Sequence, residues 1–263
     1  VNTARYDTTK HLATPVISDA KIGLEKISEA LGNWKAPDDW YKRAIKEKNE
    51  WDAYVEKQSG PTNQEEPSYA HAVGAVYRNS DPSDIVVTAA GGLVGEVVQV
   101  WKPKQLNTFE TEWGFSCMGY EISGALGIKM AKPDQDVVVF VGDGSYLLNN
   151  TDIYSSVIYD QKLIIIVCDN GGHMVINRLQ LAKGGKEYIC NLRAARATNL
   201  KFVDFENHAK SMGANAETVS STSELEAAYK RAKDSDKTYV ITIKTHGYEW
   251  LEGTAFWESP TLQ

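Results

Sequence analysis

Two apolar runs of the sequence end in residues that could bind a metal ion. The run VVVFV is followed by Gly-Asp-Gly-Ser at residues 142–145, and the run LIIIVC is followed by Asp-Asn-Gly-Gly at residues 169–172. Both runs have the length and the β-branched composition of buried strands. Asp-Gly is also a common turn dipeptide. The first motif taken alone therefore indicates a plain turn, and a functional interpretation requires a partner elsewhere in the chain.

The second run supplies that partner. Asp143 and Asn170 are 27 positions apart, which is the length of one strand–helix–strand unit. Neighbouring parallel strands lie about 4.8 Å apart, so the two side chains and the carbonyl of Gly172 could share one cation. One carboxylate with neutral oxygens suits Mg²⁺ when phosphate oxygens complete its octahedron. Gly144 and Ser145 can offer a backbone N–H and a hydroxyl to the same phosphates, so the sequence predicts a site for a metal ion and a diphosphate.

Other phosphate-binding motifs are absent from the sequence. There is no Gly-Lys-Ser/Thr of a Walker A loop, and no GxGxxG opens a helix. The predicted site is therefore neither a P-loop nor a dinucleotide fingerprint.

The elements that must position these residues alternate between helix and strand. A predicted helix at 67–79 precedes the strand DIVVTAAGG, which ends on Gly91 and Gly92, and a further helix is predicted from Met118 to Met130. The strands VVVFV, KLIIIVC and TYVITIKTH follow, separated by helical stretches. This alternation predicts an α/β fold with a parallel sheet covered by helices on both faces. In such sheets ligands bind at the carboxyl ends of the strands.

Composition changes along the chain predict three segments. Residues 1–36 form a short helical unit, residues 37–66 form a charged surface helix and linker, and residues 67–263 carry the α/β pattern. The polar stretch TNQEEP after Ser-Gly-Pro indicates the boundary between the last two segments.

Charge and composition exclude several classes of partner. The 263 residues are 42% apolar and carry a net charge of −7, and no long basic run is present, so neither nucleic acid nor an anionic membrane is an expected partner. The apolar runs are too short to span a bilayer, and no signal peptide is visible. Three cysteines without metal-type spacing fit small hydrophobic residues in a reducing compartment, so we expect a cytoplasmic protein.

The motifs resemble those of a known enzyme family. Gly-Asp-Gly, followed 25 positions later by Asp-Asn, resembles the signature of thiamine diphosphate-dependent enzymes. The stretch EWGFSCMGYEISGALGIKMAKP resembles the segment before that signature in the acetohydroxyacid synthase-like branch. Together with TAAGGLVGEVVQVW, VGDGSYLLNN and INRLQ, it is similar to the trihydroxycyclohexane-dione hydrolase family of myo-inositol catabolism.

The resemblance implies a fold and an activity. Residues 67–263 would form the diphosphate-binding domain, with a three-layer parallel-sheet fold, and residues 1–36 would be the end of a central domain. The implied reaction is the hydrolytic ring opening of a cyclic dione, with thiamine diphosphate and Mg²⁺ as cofactors. The implied full-length protein is a homodimer or tetramer. Its activating glutamate would belong to a pyrimidine-binding domain absent from this chain, so no catalytic residue is assigned here.

The resemblance also implies roles for individual residues. The metal ligands would be Asp143, Asn170 and Gly172. The residues that would contact the cofactor are Gly91, Gly92, Ser116, Met118, Gly142, Gly144, Ser145 and His173. Within this set, the backbone at Ser116 and Met118 would meet the aminopyrimidine, and the Met118 side chain would hold the cofactor in its bent shape.

Several interpretations stay open at the level of sequence. Met118 could be a plain core methionine, and His173 could touch substrate or diphosphate or could cap the next helix. The C-terminal aromatic residues Trp250, Phe256 and Trp257 could form a lid or a packed tail. A carboligase or decarboxylase acting on 2-keto acids would share the same motifs. A non-catalytic module that binds a nucleotide or a protein partner is the alternative from another class.

Overall fold

The computed structural model describes residues 12, 14–112, 114–196, 199 and 201–252. Intramolecular contacts divide the chain into two units, residues 1–51 and residues 52–263. Among the helices in the described parts, none is long and apolar enough to cross a membrane. The predicted segment boundaries at residues 36 and 66 stay predictions.

Helices make up most of the described part of the first unit. Its helix α1 spans Ala20–Leu31 and begins after Asp19, whose carboxylate accepts hydrogen bonds from the backbone N–H groups of Lys21 and Ile22. A second helix, α2, spans Asp38–Gln58 and continues into the second unit. Its end lies directly before the Ser-Gly-Pro sequence at residues 59–61.

The second unit is built on a parallel sheet. The described residues form one sheet of six strands, all parallel, in the order β2-β1-β3-β4-β6-β5. The strands are β1 Ile85–Thr88, β2 Phe109–Thr111, β3 Val137–Gly142, β4 Ile164–Asp169, β5 Asn215–Val219 and β6 Tyr239–Lys244. The helices are α3 Tyr69–Arg78, α4 Gly91–Val100, α5 Tyr120–Ala131, α6 Asp143–Leu148, α7 Asp152–Ile158, α8 Met174–Ala182, α9 Phe205–Ser211 and α10 Thr222–Asp234.

Helices cover both faces of the sheet, as predicted. Phe140 and Ile166 point to a core shared with α3, α4 and α10. Val139 and Ile165, on the opposite face, pack with α5, α7 and α9. Each of these side chains is fully buried, which stabilises the fold by about 1.5–3 kcal/mol per residue. Because the central strands are buried on both sides, their sequences are continuous apolar runs.

The strand order creates a switch point between β1 and β3. From β1 the chain passes through α4 to the edge strand β2, and then through α5 to β3 on the other side of β1. The connections that leave β1 and β3 therefore diverge at the carboxyl edge of the sheet, which leaves a cleft between them.

Candidate functional site

A cleft of about 190 Å³ opens at the carboxyl ends of β1, β3 and β4. We call it the strand-end cleft. The structure brings all of the predicted site residues to this cleft: Gly91, Gly92, Ser116, Met118, Gly142, Asp143, Gly144, Ser145, Asn170, Gly172 and His173. Residues that the sequence did not predict complete its lining: Tyr69, Ala90, Leu93, Met174, Val175, Ile176 and Leu179.

Asp143 is the first residue of α6 and is 5% exposed. Its Oδ1 accepts a hydrogen bond of 2.9 Å from the backbone N–H of Gly144, and its Oδ2 accepts one of 2.7 Å from the N–H of Gly172. A carboxylate oxygen can accept more than one hydrogen bond, so both oxygens keep capacity for a further partner. The carboxylate is thereby oriented by two backbone segments at once.

The electrostatic surroundings of Asp143 disfavour its negative charge. Burial raises the pKa of this carboxyl to about 7, and the neighbouring charge of Asp169 raises it too, while the N–H groups of Gly144 and Gly172 act in the opposite sense. A bound cation would oppose both unfavourable effects and favour the ionised form. The site is therefore suited to a positive charge.

Asn170 follows β4 directly and presents an unpaired oxygen. Its Nδ2 donates a hydrogen bond of 2.6 Å to the hydroxyl of Tyr69. This bond fixes the amide, and the Oδ1 atom is buried without a hydrogen-bond partner among the described residues. A buried polar atom left without a partner costs about 1–3 kcal/mol, and a bound ion is one of the explanations for such an atom. The Asp143 carboxylate and the Asn170 Oδ1 are therefore oxygen donors that together fit a hard cation.

The backbone after Asn170 is held in an unusual shape. Gly172 has a φ of 140°, a region that side chains rarely adopt, and a Cβ at this position would collide with the carbonyl oxygen of Cys190. The N–H of Leu192 donates to the carbonyl of Gly171 at 2.9 Å, and the N–H of His173 donates to Cys190 at 2.8 Å. These bonds fix the loop that carries the predicted carbonyl ligand.

The His173 side chain lies beside Gly144. A Cβ built on Gly144 would be 2.6 Å from Cε1 of the imidazole and 3.4 Å from the terminal methyl of Met118. The imidazole makes no capping hydrogen bond to α8, although His173 directly precedes that helix. His173 is therefore the N-cap residue of α8 by position only, and its side chain lines the cleft.

Met118 and Ser116 lie in the turn before α5. The helix begins at Tyr120, two residues later than predicted, because Gly119 has a φ of 94° and reverses the chain. Met118 is half buried. Ser116 has a φ of 52°, which is strained for a residue with a side chain. The carboxylate of Glu112 accepts bonds from the N–H groups of the same turn, at residues 115 and 117.

Glu121 is a buried carboxylate that the sequence analysis did not identify. It accepts hydrogen bonds from the N–H of Gly119 at 2.9 Å and from that of Ala90 at 3.2 Å. Burial raises its pKa, and a hydrogen bond with the Ser145 side chain lowers it. The Glu121 carboxylate therefore links three segments: the one after β1, the one after β3 and the one directly before α5. An acidic residue within the apolar pattern of a helix was the only sequence signal.

The glycines of the cleft allow a ligand to approach the backbone. Gly91 begins α4 with a φ of 76°, and no atom lies within 4 Å of the position of its missing Cβ. A ligand can therefore approach the backbone at Gly91, and helix N-termini favour anions such as phosphate. The described parts contain no cluster of three or more His, Cys, Asp or Glu side chains that could hold a metal ion.

Comparison with known proteins defines the class of this fold and site. Residues 89–243 match the family model "Thiamine pyrophosphate enzyme, C-terminal TPP binding domain". The matched range begins directly after β1 and includes β3, β4 and all of the predicted site residues. The chain belongs to the thiamine pyrophosphate enzyme family.

Curated relatives show which named proteins the chain is similar to. The chain is 33% identical to the 3D-(3,5/4)-trihydroxycyclohexane-1,2-dione hydrolase of Halalkalibacterium halodurans, over 95% of this chain and 44% of the relative. It is 31% identical to the protein of the same name from Bacillus subtilis, over 97% of this chain and 45% of the relative. The chain therefore spans slightly less than half the length of these relatives.

Solved structures share the fold. A thiamine diphosphate-dependent 4-hydroxybenzoylformate decarboxylase from Rhodococcus jostii superposes with a TM-score of 0.59 and 18% identity, over 70% of this chain and 34% of that one. A benzoylformate decarboxylase from Polynucleobacter necessarius gives a TM-score of 0.59 and 21% identity, over 73% of this chain and 36% of that one. The three-layer parallel-sheet fold is thereby confirmed.

Proposed function

We propose that this chain is the diphosphate-binding part of an enzyme that opens trihydroxycyclohexane-1,2-dione by hydrolytic carbon–carbon cleavage, in the degradation of myo-inositol. The observation that carries the proposal is the buried, unpaired Oδ1 of Asn170 in the same cleft as the Asp143 carboxylate. The names of the relatives support the substrate. The family supports thiamine diphosphate as the cofactor.

In this proposal the metal ion is Mg²⁺. The Asp143 carboxylate, the Asn170 Oδ1 and the Gly172 carbonyl bind it, and the diphosphate completes its coordination. This donor set contains only oxygen atoms, which Mg²⁺ prefers. The single negative charge leaves the ion positive enough to attract the diphosphate.

The remaining cleft residues would contact the diphosphate and the aminopyrimidine of the cofactor. The N–H groups at the start of α4, at Gly91 and Gly92, face the diphosphate together with Gly144 and Ser145. Gly142 allows the backbone to approach it closely. The backbone at Ser116 and Met118 would contact the aminopyrimidine, the Met118 side chain would help to hold the cofactor in its bent shape, and His173 would contact the diphosphate.

When bound, thiamine diphosphate supplies the electron sink for carbon–carbon cleavage. The residues of this chain would bind and orient it, and the apolar side chains of Met118, Met174 and Val175 line the cleft. None of the described cleft residues is assigned as the activating glutamate. We place that glutamate in a pyrimidine-binding domain outside this chain.

We further propose that the enzyme works as a homodimer or tetramer in the cytoplasm. Phe115 adjoins Ser116 of the cleft, and its side chain is 90% exposed. An aromatic side chain so exposed beside a ligand site fits a surface that another domain or subunit covers. The small-molecule partner in this proposal is the cyclic dione, and neither nucleic acid nor a membrane is a proposed partner.

Calorimetric titration of the full-length protein with thiamine diphosphate tests the cofactor assignment. Binding is expected in the presence of Mg²⁺ and is expected to be lost when EDTA removes the ion. Turnover by the full-length protein tests the substrate, with the cyclic dione and 2-keto acids offered separately. Binding that ignores Mg²⁺ would contradict the site, and turnover of 2-keto acids alone would identify a carboligase or decarboxylase instead.

A further inference from the structure

Residues 190–192 support the loop that carries the proposed carbonyl ligand. Gly172 and Asn191 form an isolated antiparallel bridge, and the two backbone hydrogen bonds of 2.9 Å and 2.8 Å described above lie on either side of it. Residues 190–192 belong to none of the six strands of the sheet. Their position therefore depends on other contacts.

The buried Asn191 side chain supplies some of these contacts. Its Oδ1 accepts a hydrogen bond of 3.0 Å from the backbone N–H of Arg193. Its Nδ2 donates to the hydroxyl of Tyr248 at 2.9 Å and to Oε1 of Glu187 at 3.4 Å. The second of these bonds is long and therefore weak. The side chain links residues 190–192 to the segment after β6 and to Glu187.

Glu187 joins three segments of the chain through one carboxylate oxygen. Besides the bond from Asn191, its Oε1 accepts a hydrogen bond of 3.0 Å from Nδ2 of Asn177 on α8 and one from the hydroxyl of Tyr248. The three donors hold the pKa of this carboxyl below its usual range, the Tyr248 hydroxyl most strongly. We call these four side chains the Glu187 cluster: Asn177, Glu187, Asn191 and Tyr248.

The cluster connects an irregular segment to fixed parts of the fold. Residues 183–190, between α8 and the bridge, form neither helix nor strand, and segments of this kind open locally unless other contacts hold them. Asn177 is fully buried on α8. Hydrogen bonds to a charged acceptor are stronger than those between neutral groups, so the carboxylate is the strongest link between this segment and α8.

We propose that Glu187 is a positioning residue of the metal site. Its carboxylate holds residues 190–192 against the loop at 171–173 and thereby keeps the Gly172 carbonyl in place for the ion. Glu187 is not among the residues that line the strand-end cleft, so it acts through the backbone. A ligand that is fixed before the ion binds loses less entropy on binding. The proposal rests on the proposed function and deepens it.

The test uses the full-length protein with three variants of the cluster. Glu187→Ala removes the acceptor, whereas Glu187→Gln keeps an oxygen acceptor and removes the charge. Tyr248→Phe removes the hydroxyl that bonds to both Glu187 and Asn191. The controls are Glu226→Ala and Glu226→Gln, at a partly exposed carboxylate on α10 that pairs with Arg78.

Hydrogen exchange followed by mass spectrometry tests the loop without any cofactor. In Glu187→Ala, peptides that include the N–H groups of His173 and Leu192 are expected to exchange about tenfold faster than in the parent, because the segment opens locally. Glu187→Gln should stay close to the parent, and peptides from β3 should be unchanged in every folded variant. Unchanged exchange at His173 and Leu192 in folded Glu187→Ala overturns the proposal. Tyr248→Phe keeps the test decisive if Glu187→Ala does not fold.

Titration with Mg²⁺ at a fixed concentration of thiamine diphosphate tests the consequence for the ion. The Mg²⁺ concentration for half-saturation is expected to rise about tenfold in Glu187→Ala, the lower end of the range for residues that support metal ligands. Glu187→Gln should restore most of the affinity, and the controls should match the parent. A lower urea midpoint with an unchanged half-saturating Mg²⁺ concentration would show a purely structural role and overturn the proposal. Absence of Mg²⁺-dependent binding by the parent contradicts the proposed function itself.

Discussion

The Oδ2 atom of Asp143 accepts a 2.7 Å hydrogen bond from the backbone N–H of Gly172. This bond joins the connection that leaves β3 to the connection that leaves β4, and the two strands are direct neighbours in the sheet. The proposed carboxylate ligand and the proposed carbonyl ligand are therefore fixed relative to each other before any ion binds. Such preorganisation reduces the entropic cost of binding.

Replacement of Asp143 tests the charge in this arrangement. Asp143→Ala is expected to abolish Mg²⁺-dependent binding of thiamine diphosphate by the assembled enzyme, because the proposed metal shell loses its only carboxylate. Asp143→Asn keeps the shape and removes the charge, so it should weaken binding less than alanine does. Calorimetry measures both affinities, and tight Mg²⁺-dependent binding by the alanine variant would refute the metal assignment.

The two glycines after Asn170 allow a matched test of the loop. Gly171 has a φ of 79° with open space at its Cβ position, whereas at Gly172 a Cβ would collide with the Cys190 carbonyl. Gly171→Ala is expected to lower the free energy of unfolding by about 1–2 kcal/mol, the cost of a left-handed residue. Gly172→Ala should cost more, because backbone must also move. Urea denaturation measures the free energy of unfolding of both variants. Equal losses in the two variants would contradict the close contact between Gly172 and the Cys190 carbonyl.

Replacement of Met118 tests whether this side chain holds the cofactor in its bent shape. Met118→Ala should lower turnover of the full-length enzyme more than it lowers affinity for the cofactor, because the side chain is proposed to bend the cofactor and not to anchor it. The side chain is only half buried, so the loss of unfolding free energy should stay below about 2 kcal/mol, under the range for fully buried methionines. Equal losses of turnover and affinity would favour a plain packing residue.

The fold was predictable from the sequence where burial is complete. The strands β3 and β4 are apolar runs because both of their faces are covered. The strands β2 and β5, with the sequences FET and NAETV, were missed because they lie at the edges of the sheet and are partly exposed. Their short, polar patterns carry no strand period that distinguishes them from loops.

The site was predictable to the extent that it depends on strand ends. Asp143 and Asn170 follow recognisable strands, so their meeting at one edge of the sheet follows from the parallel topology. The roles of Glu121 and Glu96 could not be inferred in the same way. Their partners are backbone groups of segments that are distant in sequence, such as Ala90 for Glu121 and Leu251 for Glu96. The predicted lid or tail at Phe256 and Trp257 lies outside the described residues.

The raised pKa of Glu96 predicts that the free energy of unfolding depends on pH. Its folded pKa is raised from 4.5 to about 7 by burial, so the folded protein binds this proton more tightly than the unfolded chain does. The contribution of Glu96 is therefore most favourable below about pH 4.5 and is lost as the pH rises towards 7, by on the order of 3 kcal/mol. Comparing the free energy of unfolding at pH 5 and pH 7.5 measures this loss.

The Glu96→Gln variant isolates that effect. Glutamine does not titrate and can still accept from the N–H of Leu251, so the decrease in stability between pH 5 and pH 7.5 should be smaller in the variant by on the order of 2–3 kcal/mol. The Glu226→Gln control should keep the full decrease. An unchanged pH dependence in Glu96→Gln would mean that this carboxyl titrates normally in the folded protein.

The 263-residue chain by itself is expected to bind thiamine diphosphate with Mg²⁺ weakly and to turn over no dione. The proposed metal ligands are in the chain, but the glutamate that we place in a pyrimidine-binding domain is not, and the strand-end cleft would lack its second wall. The exposed Phe115 ring beside that cleft should promote self-association of the chain. Sedimentation velocity should show association that Phe115→Ser reduces, and turnover of the dione by the purified chain alone would show that the catalytic machinery has been misplaced.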